Sequence, residues 1–233
     1  MNTFAVIIPA AGRSTRFGGN GRNKLFAELE GRTVCRRAVE AFAQRDDVGQ
    51  IILAVGNDDK ERFEHEAQGL SKQLTIVAGG AERVDSIRCG LAAVVPRHNF
   101  VAVHDAARPC VSAELINRVF LAAVEYGAAI PGVAVVDTLK RVDSDGRVAG
   151  TVARLGLFAV QTPQAFRRDW FEQAYTRPVD ALIPTDDAQR LEALGLPCQV
   201  VEGSAWNIKI TQFEDLALAQ AILRAQATLA RGD

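Results

Sequence analysis

Cysteine is sparse in this sequence. Cys35, Cys89, Cys110 and Cys198 are the only four in 233 residues, and no C-x-x-C pair occurs among them. Such spacing suggests neither a zinc site nor a secreted disulfide framework, so buried reduced thiols are expected. Long apolar runs are also missing: nothing approaches the ~20 residues of a membrane-spanning helix. The run from Phe4 to Ala11 has no basic segment before it and is broken by Pro9. It therefore reads as a buried strand rather than a signal peptide. Neither charge sign dominates, because 27 Lys and Arg face 28 Asp and Glu for a net −1 at pH 7. That balance argues against a general nucleic-acid coat or a polybasic membrane binder. With 19 glycines and 8 prolines, collagen-like and long disordered readings drop out too. What remains is ordinary for a globular chain: 48% hydrophobic and 24% charged residues. The length suffices for one substantial core, and a single domain over residues 1–233, cytoplasmic and away from membranes, is the expectation.

The hydrophobic pattern alternates in period along the chain. Phe4–Ile8, Ile51–Val55, Thr75–Val77, Phe100–His104, Ala128–Val136 and Cys198–Val201 are short apolar runs, as in parallel strands buried on both faces. Helical stripes fall between them. Val34, Cys35, Ala38, Val39 and Phe42 form one. Leu115, Ile116, Val119, Ala123 and Val124 form another, with Ser112 as cap and Gly127 as stop. A last helix opens at the capping-box pattern Thr211-x-x-Glu214 and carries Leu216, Leu218 and Ile222. Strands alternating with helices predict an α/β fold, a mostly parallel sheet with helices on both faces. The segment 137–153 departs from this pattern. Asp145-Gly146 sits between two partly polar, β-branched stretches, a hairpin signal. A long hairpin alone is marginal in water, so this arm needs a partner, and a second copy of the chain is the simplest one.

Three loops carry chemical signals. Pro9–Lys24 is rich in small residues and contains Arg13, Arg16, Arg22 and Lys24, with no acidic side chain in residues 1–27. It suits a polyphosphate, the alternative being a solvated turn. It matches neither G-x-x-x-x-G-K-[ST] nor G-x-G-x-x-G, which disfavours a Walker loop and a nicotinamide dehydrogenase. Gly79-Gly80-Ala81 through Ser86 ends a strand and enters a helix. It could lie along a nucleobase, or be a turn in which Asp85 or Ser86 caps the helix. In Val103-His-Asp-Ala-Ala-Arg-Pro109, Asp105 falls at the carboxyl edge of the sheet, where open α/β folds bind ligands. A carboxylate there suits Mg²⁺ on phosphate oxygens, and Arg108 suits an anion, unless the two simply pair. His104 alternates away from Asp105 and reads as structural. Arg154, Thr185-Asp-Asp187 and Asn207-Ile-Lys209 are weak signals by themselves.

PAAGRSTRFG, GGAERVDS, VHDAARP, VVDTLKRV, QTPQAF, TDDA and NIKIT, in that order from Pro9 to Thr211, resemble the 2-C-methyl-D-erythritol 4-phosphate cytidylyltransferases. The resemblance implies a Rossmann-like nucleotidyltransferase fold, CTP as donor, Mg²⁺ as cofactor and a homodimer joined through the β-hairpin arm. It places Ala10, Ala11, Gly12, Gly80, Ala81 and Ser86 at CTP. It makes Arg16, Lys24, Arg154 and Lys209 catalytic, and gives Asp105, Arg108, Thr138, Arg154, Thr185 and Lys209 to the methylerythritol phosphate, with Asp105 also the metal ligand. Thr138 and Arg154 would come from the other subunit's arm. Ser14 stands where many relatives have a second glycine, and Asn23-Lys24-Leu25-Phe26 replaces their P-K-Q-Y. Ribitol 5-phosphate cytidylyltransferases are the nearest alternative, and a non-catalytic nucleotide binder is another. In the implied reaction a phosphate oxygen attacks the CTP α-phosphorus and pyrophosphate leaves. Cations are needed to bring two polyanions together, and a phosphate dianion needs no general base.

Overall fold

The computed structural model describes residues 3–12, 17, 23–70, 74–176 and 185–231. The chain starts with β1 (Phe4–Ala10), whose side chains alternate between two layers. Phe4, Val6, Ile8 and Ala10 join one core cluster, and Ala5 and Ile7 join the other. A two-residue ribbon follows, β2 (Glu28–Leu29) with β3 (Arg32–Thr33), and then α1 (Val34–Ala43). The Thr33 hydroxyl caps α1 by accepting from the Arg36 amide, and the expected stripe of five apolar residues is its buried face. Next come β4 (Val48–Val55), α2 (Lys60–Glu66), β5 (Leu74–Ala78), α3 (Arg83–Ala92) and β6 (Phe100–Val103).

Helix α4 (Ala113–Tyr126) starts and stops where its cap and glycine predict. Ser112 accepts from the Leu115 amide, and Gly127 turns left-handed at φ +89°. Its buried face includes Phe120, whereas Val124 is 39% exposed on the outer side. The chain continues with β7 (Ala128–Ala134), the ribbon strands β8 (Leu139–Val142) and β9 (Val148–Val152), β10 (Phe158–Val160), β11 (Gln164–Arg167), α5 (Arg168–Thr176), α6 (Ala188–Glu192), β12 (Gln199–Glu202) and α7 (Asp215–Arg231). The capping box expected at Thr211 does not form as written. Helix α7 begins at Asp215, and the Asp215 carboxylate reaches back to the amides of Thr211 and Gln212. Leu218 is exposed, whereas Ile222 is in the core as expected, Leu216 packs partly buried against it, and Ala219 joins them.

The main sheet has eight strands, with the path β10-β7-β11-β6-β1-β4-β5 and β12 beside β7. β1 pairs in parallel with β4 and β6, β4 with β5, and β7 with β12. β11 runs antiparallel between β6 and β7, and β10 runs antiparallel to β7. The expected parallel sheet is therefore mixed at this end. β5 is only half-buried and β12 mostly exposed, rather than core strands, because each lies at a sheet edge. Helices α1, α2, α4 and α7 cover one face, and α3, α5 and α6 cover the other. From β1 the strand order runs outward to β4 and β5 on one side and to β6 on the other. That reversal opens a crevice at the strands' carboxyl ends, where α/β sheets place ligands.

The predicted hairpin projects as a separate two-stranded sheet of β8 and β9. At its tip Gly146 takes φ +78°, and the Asp143 carboxylate accepts from the amides of Asp145 and Arg147. Of the four thiols, Cys35 and Cys110 are buried as expected, while Cys89 and Cys198 are half-buried.

Candidate active site

A cavity of about 320 Å³ opens at the carboxyl ends of β1 and β6. Pro9, Ala10, Ala11 and Gly12 form one wall, where small side chains leave the backbone accessible. Ser86 contributes a second wall, and the turn before it is tight. The Gly79 amide donates to the Val55 carbonyl (2.7 Å), and a Cβ on Gly79 would lie 2.7 Å from the Ala11 Cβ. Ser86 Oγ accepts from the Gly80 amide and donates to the Glu82 carbonyl. The hydroxyl thus closes the Gly-Gly turn, while Glu82 and Asp85 form the helix cap. Gly80 and Ala81 continue this turn outside the cavity lining, and Ala81 is exposed.

Among the described residues lining the cavity, the charged groups are three cations, Lys24, Arg83 and Lys209, and one carboxylate, Asp105. Lys24 opens a single 3-10 turn that the Asn23 side chain caps, and its Nζ donates to the Ile210 carbonyl at 2.6 Å. Asp105 leaves β6 with its amide held by Thr162 Oγ1 (3.0 Å). Its Oδ2 lies 2.8 Å from Lys209 Nζ and 3.7 Å from Arg108 Nε, and its Oδ1 lies 3.3 Å from Arg83 Nε. Burial by itself would raise the pKa of Asp105, but Arg83, Lys209 and Arg108 override it and hold the carboxyl well below the usual range. Arg108 reaches Asp105 only beyond hydrogen-bond distance. Its firm bond is from Nη1 to the Asn207 carbonyl, 2.7 Å. The ion pair weighed from sequence therefore exists, but Lys209 and Arg83 lie nearer to Asp105.

The segment 207–211 organises this cluster. Asn207 is buried and donates to the Thr162 carbonyl, and the Ile210 amide donates to the Ala107 carbonyl. Between them Lys209 projects onto Asp105, and the Ile210 carbonyl receives Lys24. His104 is fully buried, its pKa pushed down to about 4 chiefly by desolvation, and its ring nitrogens meet the Arg108 carbonyl and Thr162 Oγ1. It is structural, as its alternation in the strand indicated.

The structure does not bring every anticipated residue to the cavity. Arg16 lies outside the described residues, as do Arg13 and Arg22. Thr138 and Arg154 are exposed on the arm and its base, where the Arg154 guanidinium donates to the Val136 carbonyl. Thr185 is exposed, its amide bonded to Gln189 Oε1. Two participants were not singled out from sequence. Arg83 pairs with both Asp105 and Asp187, and Gln164 Oε1 receives the amides of Asp187 and Ala188. Arg83 had one legible signal, as the only cation in the Gly79–Ser86 stretch.

A family model described as 2-C-methyl-D-erythritol 4-phosphate cytidylyltransferase matches residues 4–225. A protein of that name from Rhodopirellula baltica is 43% identical, with 95% of each chain covered. Another, from Frankia casuarinae, is 44% identical over 94% of this chain and 80% of its own length. Among solved structures, 4-diphosphocytidyl-2C-methyl-D-erythritol synthase from Anaerococcus prevotii matches with a TM-score of 0.84 at 30% identity, covering 96% of both chains. The 2-C-methyl-D-erythritol 4-phosphate cytidylyltransferase of Thermus thermophilus matches at 0.79 and 35% identity, covering 96% of this chain and all of that one.

Proposed function

The chain belongs to the 2-C-methyl-D-erythritol 4-phosphate cytidylyltransferase family, and from that premise we infer how its cavity performs the reaction. The enzyme transfers CMP from CTP to 2-C-methyl-D-erythritol 4-phosphate, releasing pyrophosphate, a step of isoprenoid precursor synthesis. The observation that carries the site assignment is the convergence of Lys24, Arg83 and Lys209 beside one carboxylate at the strand ends.

Ala10, Ala11 and Gly12 give a backbone wall for the nucleotide, and the turn closed by Gly80, Ala81 and Ser86 takes the cytosine and ribose. Lys24, together with Arg16 eight residues earlier in the sequence, balances charge developing on the α-phosphoryl oxygens and the departing pyrophosphate. Lys209 and Arg108 hold the acceptor phosphate in line with the α-phosphorus, which lowers the entropic part of the barrier. Asp105 keeps Lys209 and Arg83 in place and accepts from the hydroxyl groups of the polyol. Magnesium characteristically takes one or two carboxylates plus phosphate oxygens, and Asp105, the single carboxylate among the described residues lining the cavity, fits an ion arriving with the triphosphate. What that ion would supply is neutralisation of the triphosphate's charge.

Thr138 and Arg154 complete the acceptor pocket if a second subunit brings its arm to this cavity, and Thr185, in the segment before α6, joins it from the same chain. Apolar side chains support such a homodimer: Val136, Val142, Val148 and Phe158 are exposed along the arm and its base, and Leu155 is 96% exposed. No helix among the described residues is long and apolar enough to cross a membrane. A cytoplasmic location suits the four free thiols.

The test is pyrophosphate release with CTP and Mg²⁺, comparing methylerythritol 4-phosphate with ribitol 5-phosphate as acceptor. Strong preference for the first is expected. Preference for the second would keep the mechanism and overturn the substrate.

A further inference from the structure

Behind the cavity wall, a chain of polar contacts runs from the helical layer of α5 and α6 to Asp105. Asp187, in the turn before α6, is 1% exposed. Its Oδ1 accepts from the Tyr175 hydroxyl on α5, and its Oδ2 accepts from Arg83 Nη2 at 2.8 Å. The Asp187 amide is itself fixed by Gln164 Oε1 (3.1 Å). Each carboxylate oxygen thus has a different partner, and rotation would lose one of them. Arg83 Nε then faces Asp105 Oδ1. The Nε and Nη2 edge of a guanidinium usually takes both oxygens of one carboxylate. Here it is divided between two carboxylates, one at the cavity and one in the core.

Packing alone does not account for the phenol. The Tyr175 ring packs tilted against Phe171, with centroids 4.7 Å apart, and the Arg190 guanidinium lies over it at 4.5 Å. Phenylalanine would keep those contacts. Only the hydroxyl reaches Asp187, and Asp187 in turn sets the plane of Arg83.

We propose that Tyr175 and Asp187 are positioning residues for the transfer, acting through Arg83 to fix the Asp105 carboxylate at the cavity wall. The inference rests on the role given above to Asp105. Its consequence is energetic coupling between a buried phenol and turnover.

The experiment is a double-mutant cycle of Tyr175→Phe and Arg83→Gln, read in kcat and KM, with Asp105→Asn and thermal midpoints measured alongside. Tyr175→Phe should lower kcat about tenfold with a small change in KM for CTP, as a slightly misplaced group does. In the Arg83→Gln background it should cost nothing further in kcat, while its effect on the thermal midpoint persists. Asp187→Asn, which keeps shape and loses charge, should join the same non-additive set. Losses in kcat that multiply in the double variant would make Tyr175 merely structural and overturn the proposal. So would wild-type kcat in Tyr175→Phe when Asp105→Asn is crippled. Wild-type turnover in Asp105→Asn would instead overturn the role of Asp105.

Discussion

At Asp105 one carboxylate answers for Arg83, Lys209 and Arg108, and substitution there should be costly in a way that separates it from its neighbours. Asp105→Asn leaves Lys209 and Arg108 without their carboxylate partner and Arg83 with Asp187 alone, so turnover should fall by at least ~10² in a pyrophosphate-release assay. Lys24→Ala should lower kcat by a similar ~10² through lost charge stabilisation. Near-wild-type turnover would shift that role to Arg16 or Arg22. A residue remote from the cavity shares the acid side of stability with the buried His104. His98 is buried between Thr3, which faces its Nδ1, and Arg97, whose Nε donates to its Nε2. Desolvation, then Arg97 and Arg168, lower its pKa from the ordinary 6.5. The unfolded chain therefore binds a proton that the fold resists, and stability falls as pH drops below 6.5. In urea titrations, His98→Gln should flatten that decline with kcat at pH 8 unchanged. The same scale shows what a sequence conceals. Ala10, Gly12, Asp105 and Lys24 are legible because each follows a strand or sits in a cation-rich loop. The Arg83–Asp187 pair joins residues 104 apart, from the start of α3 to the turn before α6, and no local pattern encodes that contact.

Among the elements, α1 follows its apolar stripe and α4 its cap, stripe and stop, since these cues are all local. Ser112→Ala should cost ~1 kcal/mol through the lost cap. Gly127→Ala should cost more. It places a β-carbon on a residue at φ +89°, a strain of ~1–2 kcal/mol. That carbon would also lie 2.6 Å from the Trp170 ring. Both variants should lower the urea midpoint in that order, with kcat unchanged. β10 and β11 were not anticipated: Phe158–Val160 sits between turn residues and Gln164–Arg167 is half polar, so neither stands out as a buried run. Their antiparallel insertion depends on pairing with β6 and β7, which is tertiary information. The start of α7 shows the limit of motif reading. Thr211-x-x-Glu214 fits a capping box, yet the neighbouring Asp215 reaches the same amides and sets the helix start.

For the whole molecule, the proposed dimer makes a prediction that stoichiometry alone cannot. Lys209→Ala and Arg154→Ala homodimers should each be nearly inactive. If Arg154 works in its partner's cavity, co-refolding the two should restore about a quarter of the wild-type rate. Half of randomly mixed dimers are then heterodimers, and one of their two sites has both groups intact. No recovery, with mixed dimers verified by mass, would place Arg154 within its own subunit or outside the site.

The segment 207–211 also has a consequence in time. It supplies Lys209, the carbonyl that receives Lys24, and the carbonyl that receives Arg108. A ribosome makes the strands of the main sheet before it reaches Asn207. On the roles proposed for Lys24 and Lys209, a nascent chain that stops short of this segment should therefore fail to consume CTP.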